Sequence, residues 1–364
     1  MEQTIVLARG LVDQGVAVTA ACATPQLAER FAATGARAAV IPLRHFTDLA
    51  GALRLARLAR GADVVHAHDR RTGLWTRLGP RPRRGGVRVY TVHGLPLEYH
   101  PPPVGIERPG VRAAIAYRGL DANLGWRADA VVVPSRSVAE RLVTRLGYPS
   151  RRIVVIPNGI KARPSPSGRG DLVGTVSVLE QVKGLDVFLK AAAQLAAERP
   201  ELRFVLYGRG SEEERLATLS RELGLGTRLI RAGHSESAQA FATLAVYVLS
   251  SYDENAPMAL LEAMDAGVPV VATAVGGILE ILDRDSAQIV EPGDETALAR
   301  AIACLLDDPA LASRQVEAAR ARVRRDFSAE VNARATLALY ERLLSARADL
   351  RPGRGSRVRI PAGE

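Results

Sequence analysis

Apolar residues along this chain come in short runs and in staggered stripes, and the two alternate with a steady rhythm. Runs rich in valine, isoleucine and alanine predict strands over 16–22, 37–43, 63–68, 88–93, 130–134 and 152–156. Between them apolar positions recur every three or four residues. That spacing predicts helices over 2–14, 26–34, 48–60, 72–78, 111–124 and 137–146. Such alternation predicts a parallel sheet with helices on both faces. The proline-rich stretch 95–110 reads as a long loop, and long loops in compact domains tend to carry function.

Residues 161–170 are polar and turn-rich, and they read as a linker. The rhythm then restarts. Strands are predicted over 173–178, 202–207, 228–231, 245–250, 268–273 and 287–290. Helices are predicted over 185–198, 212–223, 238–243, 257–266, 295–306, 309–324 and 328–345. The predicted organisation is a first α/β domain over 1–160, the linker, and a second α/β domain with C-terminal helices over 171–345. A basic tail over 346–364, rich in Arg, Pro and Gly, is expected to be disordered. A ligand should sit where the carboxyl ends of the strands meet the cleft.

The most informative stretch is 250–277, which reads as strand, tight loop, helix, turn, strand and glycine loop. Pro257 suits the first helical position, where a missing N–H costs nothing. Gly267 and Pro269 stop the helix. A helix N-terminus offers unpaired N–H groups and partial positive charge to a phosphate. Glu254 precedes this helix and Glu262 lies inside it, so carboxylates flank the site and can accept hydrogen bonds from sugar hydroxyls. A nucleotide sugar carries both kinds of group.

Composition adds limits. The net charge of +10 comes mostly from arginine. It is concentrated at Arg70, Arg71, Arg77, Arg81, Arg83, Arg84 and Arg88, and again at Arg347, Arg351, Arg354, Arg357 and Arg359. Such charge suits an anionic membrane surface or anionic substrate, or simply solubility. Few aromatics stand near these arginines, which argues against nucleic acid. No run of about 18 apolar residues predicts a membrane span. Residues 1–15 lack a basic region followed by an apolar one, so no secretory leader is expected. Cys22 and Cys304 are far apart, and a reduced cytoplasmic compartment is the simple expectation.

Across 250–281 the pattern Glu, seven residues, Glu and a Gly-Gly loop falls on Glu254, Glu262, Gly276 and Gly277. Together with the residues around it, this pattern resembles the retaining glycosyltransferases of family 4. The resemblance covers nearly the whole chain, and it implies the GT-B fold: two Rossmann-like, doubly wound domains facing across a cleft. It implies that Glu262 holds the ribose hydroxyls of the nucleotide and that Glu254 contacts the donor sugar, as nucleophile or as hydrogen-bonding support. The backbone from Ala256 through Pro257 and Met258 to Ala259 would meet the sugar or diphosphate with its N–H groups, Pro257 having none.

Further matches follow. Lys183, in Ser177-Val-Leu-Glu-Gln-Val-Lys-Gly184, resembles the phosphate-binding lysine of the family. The family's usual arginine position holds Val178, and Arg209 is a candidate substitute. Gly208 in Tyr207-Gly-Arg-Gly-Ser211 and Gly233 in Arg231-Ala-Gly-His234 resemble the turns that lie against the nucleotide. Val155-Ile-Pro-Asn-Gly159 resembles the closing strand and hinge. His93 in Thr91-Val-His-Gly94 resembles the histidine that reaches towards donor sugar and acceptor.

The resemblance implies a nucleotide-sugar donor, UDP-linked by preference, and a glycan or lipid-linked acceptor, with no cofactor and no metal. His66-Ala-His68-Asp69 has alternate strand residues that could share a face for zinc, but the family carries a similar strand end without metal. Asp283-Arg-Asp285 reads as a surface turn. Family members usually begin with a strand and a Gly-Gly loop, whereas residues 1–15 already resemble the following helix. The expectation is a start codon assigned too far downstream, with a truncated, inactive product as the alternative. A doubly wound sheet lacking its central first strand would have two open edges and a gap.

Overall fold

The computed structural model describes residues 2–83, 85–95, 99–100, 110–162 and 170–349. Among the described residues six strands belong to the first domain: β1 (Thr19–Cys22), β2 (Arg37–Val40), β3 (Val64–Ala67), β4 (Val87–Thr91), β5 (Ala130–Val133) and β6 (Ile153–Val155). Six belong to the second: β7 (Leu172–Val176), β8 (Arg203–Tyr207), β9 (Leu229–Gly233), β10 (Leu244–Leu249), β11 (Val270–Thr273) and β12 (Gln288–Val290). All pairings between these strands are parallel.

The second sheet has the order β12-β11-β10-β7-β8-β9. Its side chains alternate between two cores. Val246 and Val248 join one cluster with Phe188 and Leu298, while Tyr247 and Leu249 join the other with Leu260 and Ile278. Successive residues of a strand face opposite ways, so a strand apolar throughout needs cover on both sides. That is why β10 reads as one unbroken buried run.

In the first domain the order β3-β4-β5-β6 forms one sheet, and β1-β2 forms a separate pair. Among the described residues neither β1 nor β2 pairs with β3. β4 and β5 alternate in the same way, with Val89 and Val132 facing one core and Tyr90 and Val131 the other.

The C-terminal helix Ala329–Asp349 departs from the expected division. It packs on the first domain, where Ala333, Leu339 and Tyr340 share a core with Leu7 and Leu11. Gly10 permits this: a Cβ there would lie 2.6 Å from the Ala333 Cβ. The crossing is anchored where Ile160 and Phe327–Ala329 exchange backbone bonds of 2.9 and 2.8 Å. Residues 346–349, assigned to the tail, continue this helix, whereas 350–364 and most of the linker (163–169) lie outside the described residues.

Other boundaries moved. The helix predicted over 111–124 is interrupted by a wider π-type turn, Ile115–Asp121. The strand predicted over 16–22 shortens to β1. Two members of the arginine stretch 70–88 fold inward rather than forming surface charge. Arg77 is 1% exposed, lies over the Tyr90 ring at 4.2 Å and pairs with Asp121. Arg88 is 4% exposed and donates to the carbonyls of Arg77 and Gly79.

Candidate active site

The loop after β10 carries a dense set of buried polar groups. Ser250, Ser251, Asp253 and Glu254 are all buried. Glu254 Oε1 accepts from Lys183 Nζ at 2.7 Å and from Ser251 Oγ at 2.8 Å. Lys183 ends a short 3-10 turn after β7, and its carbonyl accepts from Ser250 Oγ at 3.0 Å. Gly184 then turns the chain with φ 57° into the helix Leu185–Glu198, and a Cβ there would sit 2.1 Å from Ser250 O. Only glycine takes that left-handed turn at so close an approach.

The helix after the loop is Met258–Ala266. Pro257 is its N-cap, with φ −69° and ψ 119°, and not its first helical residue as expected. Proline's fixed φ fits either position. Its extended ψ leaves the preceding carbonyl, Ala256 O, free to accept from Asn158 Nδ2 at 3.2 Å. The first amides, at Met258 and Ala259, have no partner within the helix by its geometry. Glu262 follows one turn later on the same helix, half-buried.

The glycine loop closes the other side. Gly277 N donates to Glu254 O at 2.9 Å. A Cβ on Gly276 would lie 2.0 Å from Glu254 O, and one on Gly277 would lie 1.9 Å from Asn255 O. These glycines are therefore demanded by backbone stacking. Gly208 and Gly233 sit together at neighbouring strand ends, with Gly208 N donating to Gly233 O at 2.7 Å. The Arg209 guanidinium stands beside Gly233, and Val178 is half exposed.

The first domain meets this loop directly. The amide of Asn255 lies 3.0 Å from where a Cβ of Gly94 would be, so the end of β4 faces Glu254–Asn255. His93 is there, with Nε2 at 3.3 Å from His68 Nδ1 and the two rings stacked. His68, His93, Tyr90, Asp121 and Tyr148 line a cavity of about 270 Å³. His66 is engaged at both nitrogens, with Tyr340 OH and Thr91 Oγ1 each at 2.6 Å. Asp69 caps the next helix, accepting from the amides of Arg71 and Thr72. These bonds give the His-x-His-Asp strand end a structural occupation. Among the described residues no group of three His, Cys, Asp or Glu side chains is arranged to hold a metal.

Burial holds all three imidazoles neutral. His66 is pulled down to about 3 by burial and then by His93. His93 is pulled down to about 4, mainly by burial. His68 is driven well below the usual histidine range by burial and by both neighbours.

The first half of the chain, residues 3–163, matches the family described as Glycosyltransferase Family 4. Residues 160–322 match the family described as Glycosyl transferases group 1. A D-inositol 3-phosphate glycosyltransferase of Nocardioides is 30% identical over 321 residues, covering 79% of this chain and 68% of that one. The chain belongs to glycosyltransferase family 4. A glycogen synthase of Mycobacterium tuberculosis is 29% identical over 353 residues, covering 90% of this chain and 81% of that protein. The solved structure of Anabaena HepE in complex with UDP and glucose overlays with a TM-score of 0.77 at 19% identity, covering 94% of this chain and 96% of that one. This family 4 glycosyltransferase therefore has the GT-B architecture, two parallel α/β domains across a cleft.

Several residues at this family 4 site escaped the sequence. Tyr247 is fully buried beneath it, and its hydroxyl has no hydrogen-bond partner among the described residues. Burial, with Glu254 and Glu262 nearby, pushes its pKa far up. Asn158 and Arg141 contact the site from distant parts of the chain. Only Tyr247 had a local signal, as the one hydroxyl in an otherwise aliphatic strand.

Proposed function

We propose that this glycosyltransferase moves a sugar, with retention of configuration, from a UDP-sugar to a glycan or lipid-linked acceptor in the assembly of a cell-surface polysaccharide or glycolipid. The observation that carries this reading is the Lys183–Glu254 pair, partly buried at the lysine and buried at the glutamate, just before the helix that bears Glu262. In this reading the amides of Met258 and Ala259 meet the diphosphate, and Lys183 neutralises it as it departs. Glu262 accepts from the ribose hydroxyls, Gly208 and Gly233 leave room for the nucleotide, and His93 reaches the sugars from the opposite wall.

Glu254 Oε1 is engaged by Lys183 and Ser251, which hold the carboxylate in place. In this reading it serves as hydrogen-bonding support. The anomeric C–O bond to the diphosphate then breaks while the acceptor oxygen bonds on the same face. The acceptor's proton passes to a departing phosphate oxygen. The titration of UDP should raise the melting temperature of the wild-type protein by several degrees at about 100 times Kd. Glu262→Ala should remove the rise, and an unchanged rise would refute the ribose assignment.

One observation favours a second reading, nucleotide-sugar binding without turnover. Val178, exposed and apolar, stands where the family resemblance expects a cation. A UDP-release assay with a set of UDP-sugars separates the two, because a binder shows the thermal shift and releases no UDP.

A lipid-linked acceptor would bring the enzyme to an anionic membrane surface. No helix among the described residues is long and apolar enough to cross a membrane. The helix Leu49–Ala59 leaves Leu49 and Leu53 exposed beside exposed Arg54 and Arg57, a basic amphipathic face that supports surface contact. Co-sedimentation with vesicles containing phosphatidylglycerol should exceed that with neutral vesicles and fall in Leu49→Ser/Leu53→Ser. Equal recovery on both vesicles would sink this contact.

A further inference from the structure

One helix of the first domain, Arg136–Thr144, grips both segments that enclose Glu254. At its first turn the amides of Arg136 and Ser137 donate to the two carboxylate oxygens of Glu280, at 2.8 and 2.9 Å. Glu280 lies just beyond the Gly276-Gly277 loop. An acidic group suits a helix N-terminus, whose amides lack partners and carry partial positive charge. This cap is supplied from the opposite domain.

The second grip lies one turn further along. Arg141 Nη1 donates to Asp253 Oδ2 at 2.5 Å, and Nη2 donates to Ser137 Oγ at 3.2 Å. The two side chains are 13% and 4% exposed, so the pair is sheltered from water. His100 Nδ1 lies 2.7 Å from the same Asp253 oxygen. Asp253 immediately precedes Glu254, whose carbonyl is bonded to Gly277 N. Gly277 itself packs against Ser135, at 3.1 Å from a Cβ placed there. Residues 253–255 and 276–280 are thus stacked on each other and tied jointly to one helix. A sheltered, charge-assisted bond fixes geometry more strongly than a neutral one.

We propose that Arg141 is a positioning residue for the sugar-transfer site: through Asp253 it sets the loop that carries Glu254, so that loop takes its working shape only when the two domains meet. The role of the loop in catalysis rests on the proposed transferase function, whereas its dependence on Arg141 does not.

The test is hydrogen–deuterium exchange of the full chain, followed in peptides spanning 251–257, together with steady-state kinetics. Arg141→Met should raise exchange in that loop about tenfold, and β8 should be unchanged. Glu140→Gln, exposed on the same helix, should leave the loop as it is. In kinetics, Arg141→Met should lower kcat by up to about 10²-fold while UDP affinity stays within about threefold. Arg141→Lys should recover part of the loss. The double variant Arg141→Met/Asp253→Asn should be no worse than Arg141→Met, since both remove the same bond. If Arg141→Met does not fold, the nearly isosteric Asp253→Asn supplies the same exchange measurement. Unchanged loop exchange, or fully additive losses in the double variant, would overturn the proposal. A wild-type protein that turns over no donor would remove the transferase reading, and the exchange result would still decide the role of Arg141.

Discussion

Replacing Lys183 with methionine should lower sugar-transfer turnover by about 10²–10³-fold, the usual loss when one preorganised charge at a developing anion is removed. The same change should destabilise the protein. Glu254 is only 6% exposed, and Lys183 stands 2.7 Å away as its cationic partner. Removing one member of a buried pair strands the other, at a cost of about 3–5 kcal/mol. Two effects are therefore superimposed, and a second variant, compared with Glu254→Gln alone, separates them. Lys183→Met/Glu254→Gln carries no stranded charge, so it should regain most of the lost stability in urea unfolding. Its turnover should stay low. Recovery of activity along with stability would mean that Lys183 acts only as a structural counter-ion.

Stability should also fall steeply between pH 6.5 and 4, before the carboxylates titrate. The unfolded chain binds protons at His66, His68 and His93 near pH 6.5. In the folded protein His66 stays neutral down to about 3 and His93 down to about 4, mainly because burial disfavours the charged ring. The unfolded state therefore holds more protons across this window, and stability rises with pH through it. It is fully present above pH 6.5 and is lost as pH falls. For His93 alone the loss by pH 4 is on the order of 3 kcal/mol. Asp129 and Asp253 behave differently. Burial raises their pKa values, but bonds from Arg347 and Arg88, and from His100 and Arg141, outweigh it and lower them. Their contribution is lost only below the ordinary carboxylate pKa. Unfolding midpoints between pH 7.5 and 4.5 read this directly. His66→Gln cannot titrate and should flatten the slope. A wild-type profile flat across the window would show that the imidazoles are protonated in the fold.

The same neutral histidine bears on mechanism. At neutral pH His93 can offer or accept a hydrogen bond in the cleft, but it brings no positive charge. In the proposed site that duty falls to Lys183, which is why its loss has the larger expected effect.

Much of this is legible in the sequence. The alternation of β-branched runs with amphipathic stripes follows from burial on both faces of a sheet, which is a local constraint on side-chain type. The loop, helix, stop and glycine loop over 250–277 were readable because caps, turns and close backbone approaches each demand particular residues at fixed offsets. Gly267 does end its helix in the left-handed conformation, with φ 77°. The N-cap position of Pro257 was not readable, because proline's φ serves both positions and ψ was set by the surrounding loop.

By itself, then, the sequence indicated two α/β domains, carried the family resemblance, and singled out Lys183, Glu254, Glu262 and Gly276-Gly277 one by one. Each of these signals lies in residues near in the chain, or in a strand's own burial. The tertiary structure alone decided that Lys183 pairs with Glu254 and that the last helix returns to the first domain. It also decided that Arg77 and Arg88 turn inward, and that Arg141 and Glu280 reach across the cleft. An arginine can neutralise any carboxylate brought within reach, and nothing in its neighbours along the chain names the one it will meet. Only the docking of one domain on the other makes that choice.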